Sequence, residues 1–586
     1  MLPVRRPRPA DRPPERGPAA GDAADRRGPA GDAADRPREP GLAGNGAADR
    51  APERGRTGDA VAVAGLVALT VAGLVRFGPT LDRGLWFDEQ WRAYHIALPG
   101  LGMDLATSYA PMSAGWLLAE KAAAAVSHAE WALRLPTVVA LVALGLATYL
   151  LARLVTGPAA ALLAAAATLV NPATVSFGLQ LKPYVPEELV SVALVLVWAA
   201  AGRRDGPGRI GSGLLLGLLA VCSVPAVFVL VPLVGLDLAQ ALRAPEERKQ
   251  RLRWATVQAA VAGAAALAHF ALFVRPQSAI LGTEFWDGFF LPRDGGALAF
   301  LGRQTEGFLI GFPTGEGALH GVRFAGFALD PLPGGLRWPL IAAQLLLAAA
   351  GTRALLRHRV GTGVVTGLFG GLLLVLVGAA ARMWPFGFVR VNLFLLPLWW
   401  VVLAAGLAAL AGHVRQAAAL PGRLAAGAGA VLTALALGAV LGHDVGQVTA
   451  MNRPVVALDQ ELPTLLDRVR TQTAPGTIDV VNLDGHQGYG PYAKGWDFYL
   501  GQAGREAAVP TLRLGSRDQN AALVRFLADH PEARQVLLYN ESGVGPATAR
   551  AQAAALRAAG FTATGRFGAP NSGQLAIYRR GADPAG

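Results

Sequence analysis

The sequence predicts a polytopic α-helical membrane protein with a C-terminal α/β domain and a disordered N-terminal tail. Of the 586 residues, 53% are hydrophobic and 16% are charged, and the mean hydropathy is +0.37. Soluble proteins carry about a quarter charged residues, so an ordinary soluble enzyme is excluded. Apolar stretches close to the roughly 20 residues that a membrane helix needs recur between residues 60 and 441. After residue 443 the composition becomes that of a soluble domain.

The net charge and the cysteine content exclude further classes. The single cysteine, Cys222, lies in an apolar run, which excludes a disulfide scaffold and a cysteine-rich zinc site. The net charge of +12 comes from Lys and Arg residues that are spread between apolar stretches instead of clustered with aromatic residues. That distribution is typical of cations that orient membrane helices, and we expect no nucleic-acid partner.

Residues 1–58 predict a disordered cytoplasmic tail. The segment consists mainly of Pro, Ala, Gly, Arg and Asp and nearly repeats itself, as GPAAGDAADR and GPAGDAADR. It cannot bury enough apolar surface to offset the entropy lost on ordering. It is not a signal peptide, because the first apolar run begins only near Ala60.

Residues 59–442 predict a membrane domain of about eleven helices. The boundary at Pro225 between the fifth and sixth of these segments is open, and so the count carries an uncertainty of about one. The predicted spans are 60–76, 132–152, 159–178, 187–201, 210–223, 225–242, 254–274, 337–356, 361–380, 392–411 and 423–442.

The positions of Lys and Arg predict the orientation of these spans. With the tail inside, every inside loop is basic, which agrees with the positive-inside rule. This requires Met112–Ser127, which contains Glu120 and Lys121, to lie along the outer interface instead of crossing. The Ala-, Gly- and Arg-rich composition is typical of a GC-rich bacterial genome, so we expect a multi-pass plasma-membrane protein. The predicted outer segments are 77–131, 179–187, 275–336, 381–391 and everything after 443.

Residues 443–586 predict an extracytoplasmic α/β domain, because strand and helix patterns alternate there. The glycine-rich segment 482–492 does not match a phosphate-binding loop, since neither G-x-G-x-x-G nor GK[ST] opens a helix at that point. The predicted strands are Thr477–Leu483, Gln535–Tyr539 and Gln574–Arg579, and the predicted helices are 518–530 and 546–559.

Three outer turns carry the candidate site residues. Asp88 and Glu89 follow the first span within GLWFDEQW. The second turn, QLKPYVPEE, supplies Lys182, Tyr184, Glu187 and Glu188, and the third, RMWPFGFVR, supplies Arg382 and Arg390. Outer loops normally avoid Lys and Arg, so these three cations indicate an anionic ligand. Two alternatives stay open: the acids merely cap a helix, and the cations merely pair with nearby carboxylates.

The order of these motifs resembles the glycosyltransferase-C superfamily over roughly residues 60–410. It is most similar to the branch that holds protein O-mannosyltransferases and lipid A aminoarabinose transferases. The motifs that carry the resemblance are Trp86-Phe87-Asp88-Glu89, Ala110-Pro111, Leu133-Arg134-Leu135-Pro136, Lys182-Pro183-Tyr184 and Pro385-Phe386-Gly387 followed by Arg390.

The resemblance implies a sugar donor linked to polyprenyl phosphate and an essential loop aspartate, which matches Asp88. It also implies a second acidic position in the next outer loop, which matches Glu187 or Glu188. One departure concerns the substrate. Relatives that modify lipid A have an acid-Lys-Pro before the interfacial helix, whereas this chain has Tyr109-Ala110-Pro111.

Chemistry assigns roles to the same residues. The acceptor hydroxyl must lose its proton as it attacks, so Asp88 is the candidate base and Glu89 the alternate. The leaving phosphate needs positive charge, from Lys182, Arg382 and Arg390 or from a divalent metal held by acids. Tyr184 is a candidate hydrogen-bond partner of sugar or phosphate. Asp287 and His320 have no recognisable metal-ligand spacing, so the metal stays unknown.

The sequence therefore predicts an inverting membrane glycosyltransferase that moves a sugar from a polyprenyl-phosphate donor to a hydroxyl acceptor outside the bilayer. The acceptor, whether glycan, protein or lipid, is open. One alternative is a flippase or transporter of lipid-linked intermediates, although the charged residues gather at the outer face instead of mid-membrane. The other is a catalytically silent binding protein of envelope assembly.

Overall fold

The computed structural model describes most of the membrane domain and most of the α/β domain. Predictions for residues 1–51, Tyr109-Ala110-Pro111, His320 and the glycine-rich loop after Asn482 lie outside the described residues. The described residues are 52–99, 112–202, 206–243, 245–278, 283–293, 295–314, 333–417, 435, 438–449, 461–482, 494–501, 505, 508–515, 519–541, 544–568 and 573–581.

The membrane domain is helical. Short 3-10 helices follow α1 and precede α16, and π-helical segments join α10 to α11 and α14 to α15. Residues 438–449 are also helical. The helices are α1 Pro52–Phe77, α2 Phe87–Ala97, α3 Ala114–Val126, α4 Glu130–Arg153, α5 Pro158–Val170, α6 Pro172–Gly178, α7 Tyr184–Ala201, α8 Gly208–Val221, α9 Ala226–Leu242, α10 Arg248–His269, α11 Arg275–Ser278, α12 Ala297–Thr314, α13 Gly334–Leu355, α14 Arg359–Val365, α15 Gly371–Ala380 and α16 Leu396–Ala417.

Within the described residues, seven helical segments are long and apolar enough to cross a membrane. The pair α5 and α6 makes an eighth if it is one span, bent by 60°. The bend falls at Asn171, whose side chain accepts hydrogen bonds from the first turn of α6. The seven spans are Thr57–Asp82, Glu130–Arg153, Tyr184–Ala201, Arg248–Gln277, Gly334–Leu355, Arg359–Ala380 and Arg390–Val414.

In the part of the chain that the structure describes, seven or eight of the eleven predicted segments have the length and hydropathy of a span. Ten of the predicted segments do form helices, but α8 and α9 have only 14 and 17 residues, short of the roughly 20 needed to cross. The eleventh segment, 423–442, lies mostly outside the described residues.

The last residues of the predicted disordered tail, 52–58, differ from the prediction. Helix α1 begins at Pro52, so residues 52–58 are helical. Proline is favourable at the start of a helix, where its missing N–H costs nothing. Asp59 then pairs with Arg153 at 2.6 Å, and that pairing anchors this end of α1 to α4.

The two ends of the membrane domain differ in their loops. The loops predicted to be inside hold the Arg153–Asp59 pair and a second pair, Arg209–Asp237 at 2.8 Å, which Arg359 joins at 3.5 Å. The three turns with the candidate site residues follow α1, precede α7 and follow α15, at the opposite helix ends. The site and the basic loops thus lie at opposite ends of the domain.

The core of the membrane domain is centred on α7 and α16. Trp198 and Trp400 are among its largest fully buried side chains. Helix α16 lies directly against α13, because an added Cβ at Gly351 would collide with the carbonyl oxygen of Val402 and one at Gly406 with that of Leu347. Glycine at these two positions permits the close approach.

The predicted interfacial segment forms α3, which at 13 residues is too short to cross. Its charges do not face outward, however. Glu120 is fully buried and accepts a 2.7 Å hydrogen bond from Arg92. Lys121 donates to the carbonyl oxygens at the end of α2, with Leu98 at 2.6 Å. The expectation that these charges place α3 at the interface is therefore corrected: they join α3 to α2.

The C-terminal part is a five-stranded α/β domain with the strand order β2-β1-β3-β5-β4. Strands β2, β1 and β3 are parallel, and β5 and β4 extend the sheet in antiparallel fashion. The elements are α17 Leu462–Gln472, β1 Thr477–Asn482, α18 Gly495–Leu500, β2 Thr511–Leu514, α19 Gln519–Asp529, β3 Gln535–Asn540, α20 Pro546–Ala558, β4 Phe561–Gly568 and β5 Gln574–Arg580.

The five elements predicted for this domain are confirmed within a residue or two. Two strands escaped prediction for identifiable reasons. Strand β2 is only four residues long, and β4 contains Gly565, carries a register irregularity and is largely exposed. Neither has the regular alternation of apolar residues by which a strand is recognised.

Candidate active site

The structure brings the three outer turns together. Asp88, in the first turn of α2, accepts a 2.7 Å hydrogen bond on Oδ2 from Nζ of Lys182, which lies just before α7. Arg390, at the start of the turn before α16, is close enough to both for its charge to act on them. A carboxylate and two cations from distant parts of the chain thus share one site.

Asp88 is partly accessible and strongly influenced by its neighbours. Its side chain keeps 23% of its exposure, so solvent or a ligand can reach it. Burial raises the pKa of Asp88, but the charges of Lys182 and Arg390 outweigh that effect and hold the pKa below its ordinary value of 3.8. Asp88 is therefore a carboxylate at neutral pH.

Lys182 lies between Asp88 and an aromatic ring. Its Nζ is 5.1 Å from the centroid of Trp86, and its side chain is 10% exposed. Burial and the charge of Arg390 lower the pKa of Lys182 below its ordinary value of 10.5, against the opposing effect of Asp88. Trp86 is fixed in turn, because its Nε1 donates to Oε1 of Gln180 at 3.1 Å.

Glu89 has a different environment from that of Asp88. Its carboxylate is fully buried and accepts two hydrogen bonds from Arg134, at 2.7 and 2.9 Å. It also accepts from the backbone N–H of Leu181 at 2.7 Å and from that of Trp86 at 3.3 Å. Burial raises the pKa of Glu89, but Arg134 outweighs it and lowers the pKa below the ordinary 4.5. These contacts hold the first two turns together.

Arg134 is a site-building residue that the sequence argument used only as part of a motif. It is fully buried and donates to the carbonyl oxygens of Leu81 and Arg83 at 2.6 Å and of Gly84 at 3.3 Å. One guanidinium thus fixes the backbone that leads to Asp88. The sequence feature that could have identified Arg134 is its position near the start of a largely apolar span, where a charged side chain is rare.

The remaining residues of the second turn lie at the start of α7, where Glu187 and Glu188 are buried and Tyr184 is half-buried. Glu187 is 6% exposed and Glu188 is fully buried, with its carboxylate accepting from Oγ1 of Thr174 at 3.2 and 3.3 Å. Tyr184 lies within electrostatic range of Asp88, Glu187 and Arg390, which places it at the site. Its ring packs edge-on against Phe177 at 4.7 Å between centroids.

The two arginines of the third turn lie against the long outer loop. Arg390 is 5.9 Å from the ring centroid of Trp286. Arg382 forms an ion pair with Asp287 and lies 4.9 Å from the ring of Phe290. The described contacts of Arg382 thus join it to this loop, whereas the pairing of Lys182 with Asp88 is the alternative that the sequence left open.

Arg92 is a site residue that the sequence analysis did not single out. It lies one helical turn after Asp88, so the two side chains share a face of α2. Its side chain is 4% exposed, it pairs with Glu120, and its Nη2 is buried without a hydrogen-bond partner in the structure. Its charge also acts on Glu187 and Lys182. The sequence feature that could have identified Arg92 is its i to i+4 spacing from Asp88.

The described residues offer no set of ligands for a metal ion. They contain no group of three His, Cys, Asp or Glu side chains placed to hold an ion. Asp287, one of the two metal candidates of the sequence, is paired with Arg382.

Comparison with protein families identifies part of the membrane domain. Residues 109–274 match the family model described as dolichyl-phosphate-mannose-protein mannosyltransferase. The matched segment runs from α3 through α10 and contains Lys182, Tyr184, Glu187 and Glu188. A search of curated proteins gives no match.

Two groups of solved structures align with most of this chain at low sequence identity. ArnT from Cupriavidus metallidurans, solved in the apo state and bound to undecaprenyl phosphate, aligns with a TM-score of 0.49 and 13% identity, over 88% of this chain and 98% of ArnT. The Archaeoglobus fulgidus oligosaccharyltransferase tethered with an acceptor peptide aligns with a TM-score of 0.44 and 14% identity, over 81% of this chain and 68% of that enzyme.

The family match covers the second of the three outer turns and bears out the resemblance that Lys182-Pro183-Tyr184 indicated. Asp88, Arg382 and Arg390 lie outside the matched residues. The chain is a multi-pass membrane protein, and its residues 109–274 are similar to mannosyltransferases of the glycosyltransferase-C superfamily.

Proposed function

We propose that the protein transfers a sugar from a polyprenyl-phosphate donor to a hydroxyl acceptor, with Asp88 as the base. The observation that carries the proposal is the 2.7 Å contact between Asp88 and Lys182 at the meeting point of three outer turns, within range of Arg390. A carboxylate that solvent can reach is thereby held beside two cations. A sugar phosphate presents the complementary charges: an anion and an electrophilic carbon next to it.

The cations provide the phosphate-binding part of the proposed site. Lys182 and Arg390 approach Asp88 from two turns, and Arg92 adds a buried guanidinium on the same face of α2. Fixed cations in a site of low polarity stabilise the negative charge that develops on the leaving phosphate. The aromatic rings of Trp286 and Phe290, beside Arg390 and Arg382, offer apolar surface for the prenyl chain.

The proposed reaction is a direct displacement. The acceptor oxygen attacks the anomeric carbon, its proton passes to Asp88, the bond from that carbon to the phosphate oxygen breaks, and the polyprenyl phosphate leaves with the electron pair. Attack opposite to the leaving group inverts the anomeric centre. The leaving phosphate is a weak base, so Asp88 needs no acidic counterpart.

Lys182 links donor binding to the strength of the base. A donor phosphate that accepts hydrogen bonds from Lys182 shares the positive charge that lies against Asp88. The pKa of Asp88 then rises towards that of an ordinary carboxylate, which makes it a better proton acceptor. Donor binding would therefore activate the base.

The organisation that fits this function has a cytoplasmic tail at 1–58, a membrane glycosyltransferase domain at 59–442 and an extracytoplasmic α/β domain at 443–586. Two observations support it. The basic loops lie at the end of the membrane domain opposite to Asp88. The α/β domain contacts the Asp88 end, where Tyr499 accepts a hydrogen bond from Leu85.

Label transfer in proteoliposomes tests the proposal. Purified protein is incubated with radiolabelled polyprenyl-phosphate sugars and envelope extract, beside Asp88→Asn and the control Glu247→Gln, an exposed acid paired with Arg251. We expect label to leave the lipid with wild type and the control only. Label that crosses the bilayer without release indicates a flippase, and donor binding without release indicates a silent binding protein. Either outcome overturns the proposal.

A further inference from the structure

The short helix α18 is shared between the α/β domain and the membrane domain. Trp496 packs in the core of the α/β domain, with Leu537 and Tyr539 of β3. Phe498 and Tyr499, two and three residues later, pack against the apolar cluster around α2 and α3. The α/β domain thus contacts the helix that carries Asp88 through a segment fixed in its own core.

The hydroxyl of Tyr499 makes two hydrogen bonds across this contact. It accepts from the backbone N–H of Leu85 at 3.0 Å and donates to Oε1 of Glu130 at 3.1 Å. Leu85 is fully buried and lies three residues before Asp88. Burial and the charge of Glu130 raise the pKa of Tyr499 well above its ordinary value, so the hydroxyl keeps the proton that it donates.

The two partners of Tyr499 belong to the framework that positions Asp88. Glu130 opens α4, one turn before Arg134, which binds the carbonyl oxygens of residues 81, 83 and 84 and the carboxylate of Glu89. The carbonyl oxygen of Leu85 accepts from Nε2 of Gln90 at 2.7 Å. The backbone before Asp88 is therefore held by Arg134 on one side and by Tyr499 on the other.

The α/β domain holds Tyr499 in turn. Arg470 of α17 donates to the carbonyl oxygen of Tyr499. Lys494, just before α18, lies 4.8 Å from the ring of Tyr94 on α2. The backbone of Tyr499 is thus held within the α/β domain, and a cation–π contact joins the residue before α18 to α2.

We propose that Tyr499 is a positioning residue of the glycosyltransferase site, through which the α/β domain fixes the backbone that carries Asp88. The proposal rests on the proposed function of Asp88. It gives the α/β domain a role in catalysis that does not require it to contact the donor. Misplacing a catalytic group by about 1 Å can cost roughly 10²-fold in rate, so a lost anchor three residues away affects turnover.

The test compares Tyr499→Phe with Tyr578→Phe in the full-length protein. Both remove one tyrosine hydroxyl from the α/β domain, but Tyr499 is half-buried at the contact with α2, whereas Tyr578 is buried in β5, in the core of the sheet. We expect kcat of Tyr499→Phe to fall about 10- to 100-fold while the donor KM changes less than about twofold. Tyr578→Phe should match wild type. A merely structural contact would lower the yield of folded protein and leave kcat per folded molecule unchanged.

A second variant and a second readout keep the proposal testable if Tyr499→Phe does not fold. Glu130→Ala removes the other partner of the hydroxyl and should lower kcat in the same direction. Hydrogen exchange should become faster at residues 81–90 in either variant and stay unchanged in β1, Thr477–Asn482. Wild-type kcat in both variants, or unchanged exchange at 81–90, overturns the proposal.

Asp88→Asn in the same assay separates this proposal from the proposed function. If wild type transfers sugar and Asp88→Asn does not, normal kcat in Tyr499→Phe refutes the role of Tyr499 alone. If wild type transfers no sugar, or if Asp88→Asn is fully active, the proposed function fails, and the role of Tyr499 in it fails as well.

Discussion

The two acids that open α2 lie next to each other in the sequence but face different regions of the molecule. Asp88 points to Lys182 and keeps 23% of its exposure, whereas Glu89 points to Arg134 and is fully buried. Glu89 accepts four hydrogen bonds, two of them from backbone N–H groups. Asp88 is therefore available to a substrate, whereas Glu89 holds the site together.

The largest effect that separates the two regions is on stability. Glu89→Ala leaves Arg134 buried without its carboxylate, and breaking a buried ion pair typically costs about 3–5 kcal/mol. Asp88→Asn keeps the shape of a partly exposed side chain and an oxygen that can accept from Lys182, so it should lower the unfolding free energy less than Glu89→Ala does. Denaturant unfolding in detergent measures both. Equal losses of unfolding free energy in the two variants would contradict the structural role assigned to Glu89 alone.

The second effect is on donor binding. Lys182→Met removes a charged donor from the proposed phosphate site, and a hydrogen bond to a charged group contributes about 1.5–3 kcal/mol, or roughly 10- to 100-fold in affinity. We expect the donor KM to rise by that factor. Lys249→Met, in the first turn of α10 at the opposite end of the domain, is the matched control and should leave KM unchanged. An unchanged KM in Lys182→Met would place the phosphate elsewhere.

The third effect is on pH dependence. The folded pKa of Asp88 lies below 3.8, so its carboxylate form persists as pH falls and kcat/KM should not decline on its account between pH 8 and 5. Lys182→Met removes the largest opposing charge, so burial should raise the pKa of Asp88 and move the acidic limb to higher pH. Profiles of kcat/KM for both proteins measure this shift. Identical acidic limbs would contradict the coupling of Asp88 to Lys182.

The smallest effect concerns the third turn. Arg382 and Asp287 form an ion pair of which both members are substantially exposed, and such pairs contribute about 0.2–1 kcal/mol. Arg382→Gln should therefore change the donor KM less than about fivefold, well below the effect of Lys182→Met. Transfer assays at varied donor concentration compare the two. A larger effect from Arg382→Gln would show that Arg382 contacts the donor.

Much of the fold could be predicted from the sequence because the relevant signals are local. Runs of apolar residues and the positions of Lys and Arg predicted the helices and the two ends of the domain. The apolar runs long enough to cross could not be identified, because a run with three glycines such as 210–223 is apolar enough for a membrane but forms a helix of only 14 residues. The bend at Asn171 depends on a side-chain cap and not on hydropathy.

The members of the site could be predicted, but their pairing could not. Breaking the positive-inside rule identified Lys182 and Arg390, and the motif identified Asp88. Nothing local distinguishes Asp88 from Glu89, because the partners that separate them, Lys182 and Arg134, come from the turn before α7 and from α4. The same holds for Tyr499, which lies 414 residues after Leu85. Long-range pairings of this kind appear only once the chain is folded.

The rate of sugar transfer by Asp88→Asn at saturating donor is the most direct test of whether Asp88 acts as the base. A well-placed base contributes about 10²–10⁴-fold, so we predict that kcat falls by that factor while the donor still binds and the protein unfolds as wild type does. A wild-type kcat in folded Asp88→Asn would contradict the account, because the carboxylate beside Lys182 would then take no part in the reaction.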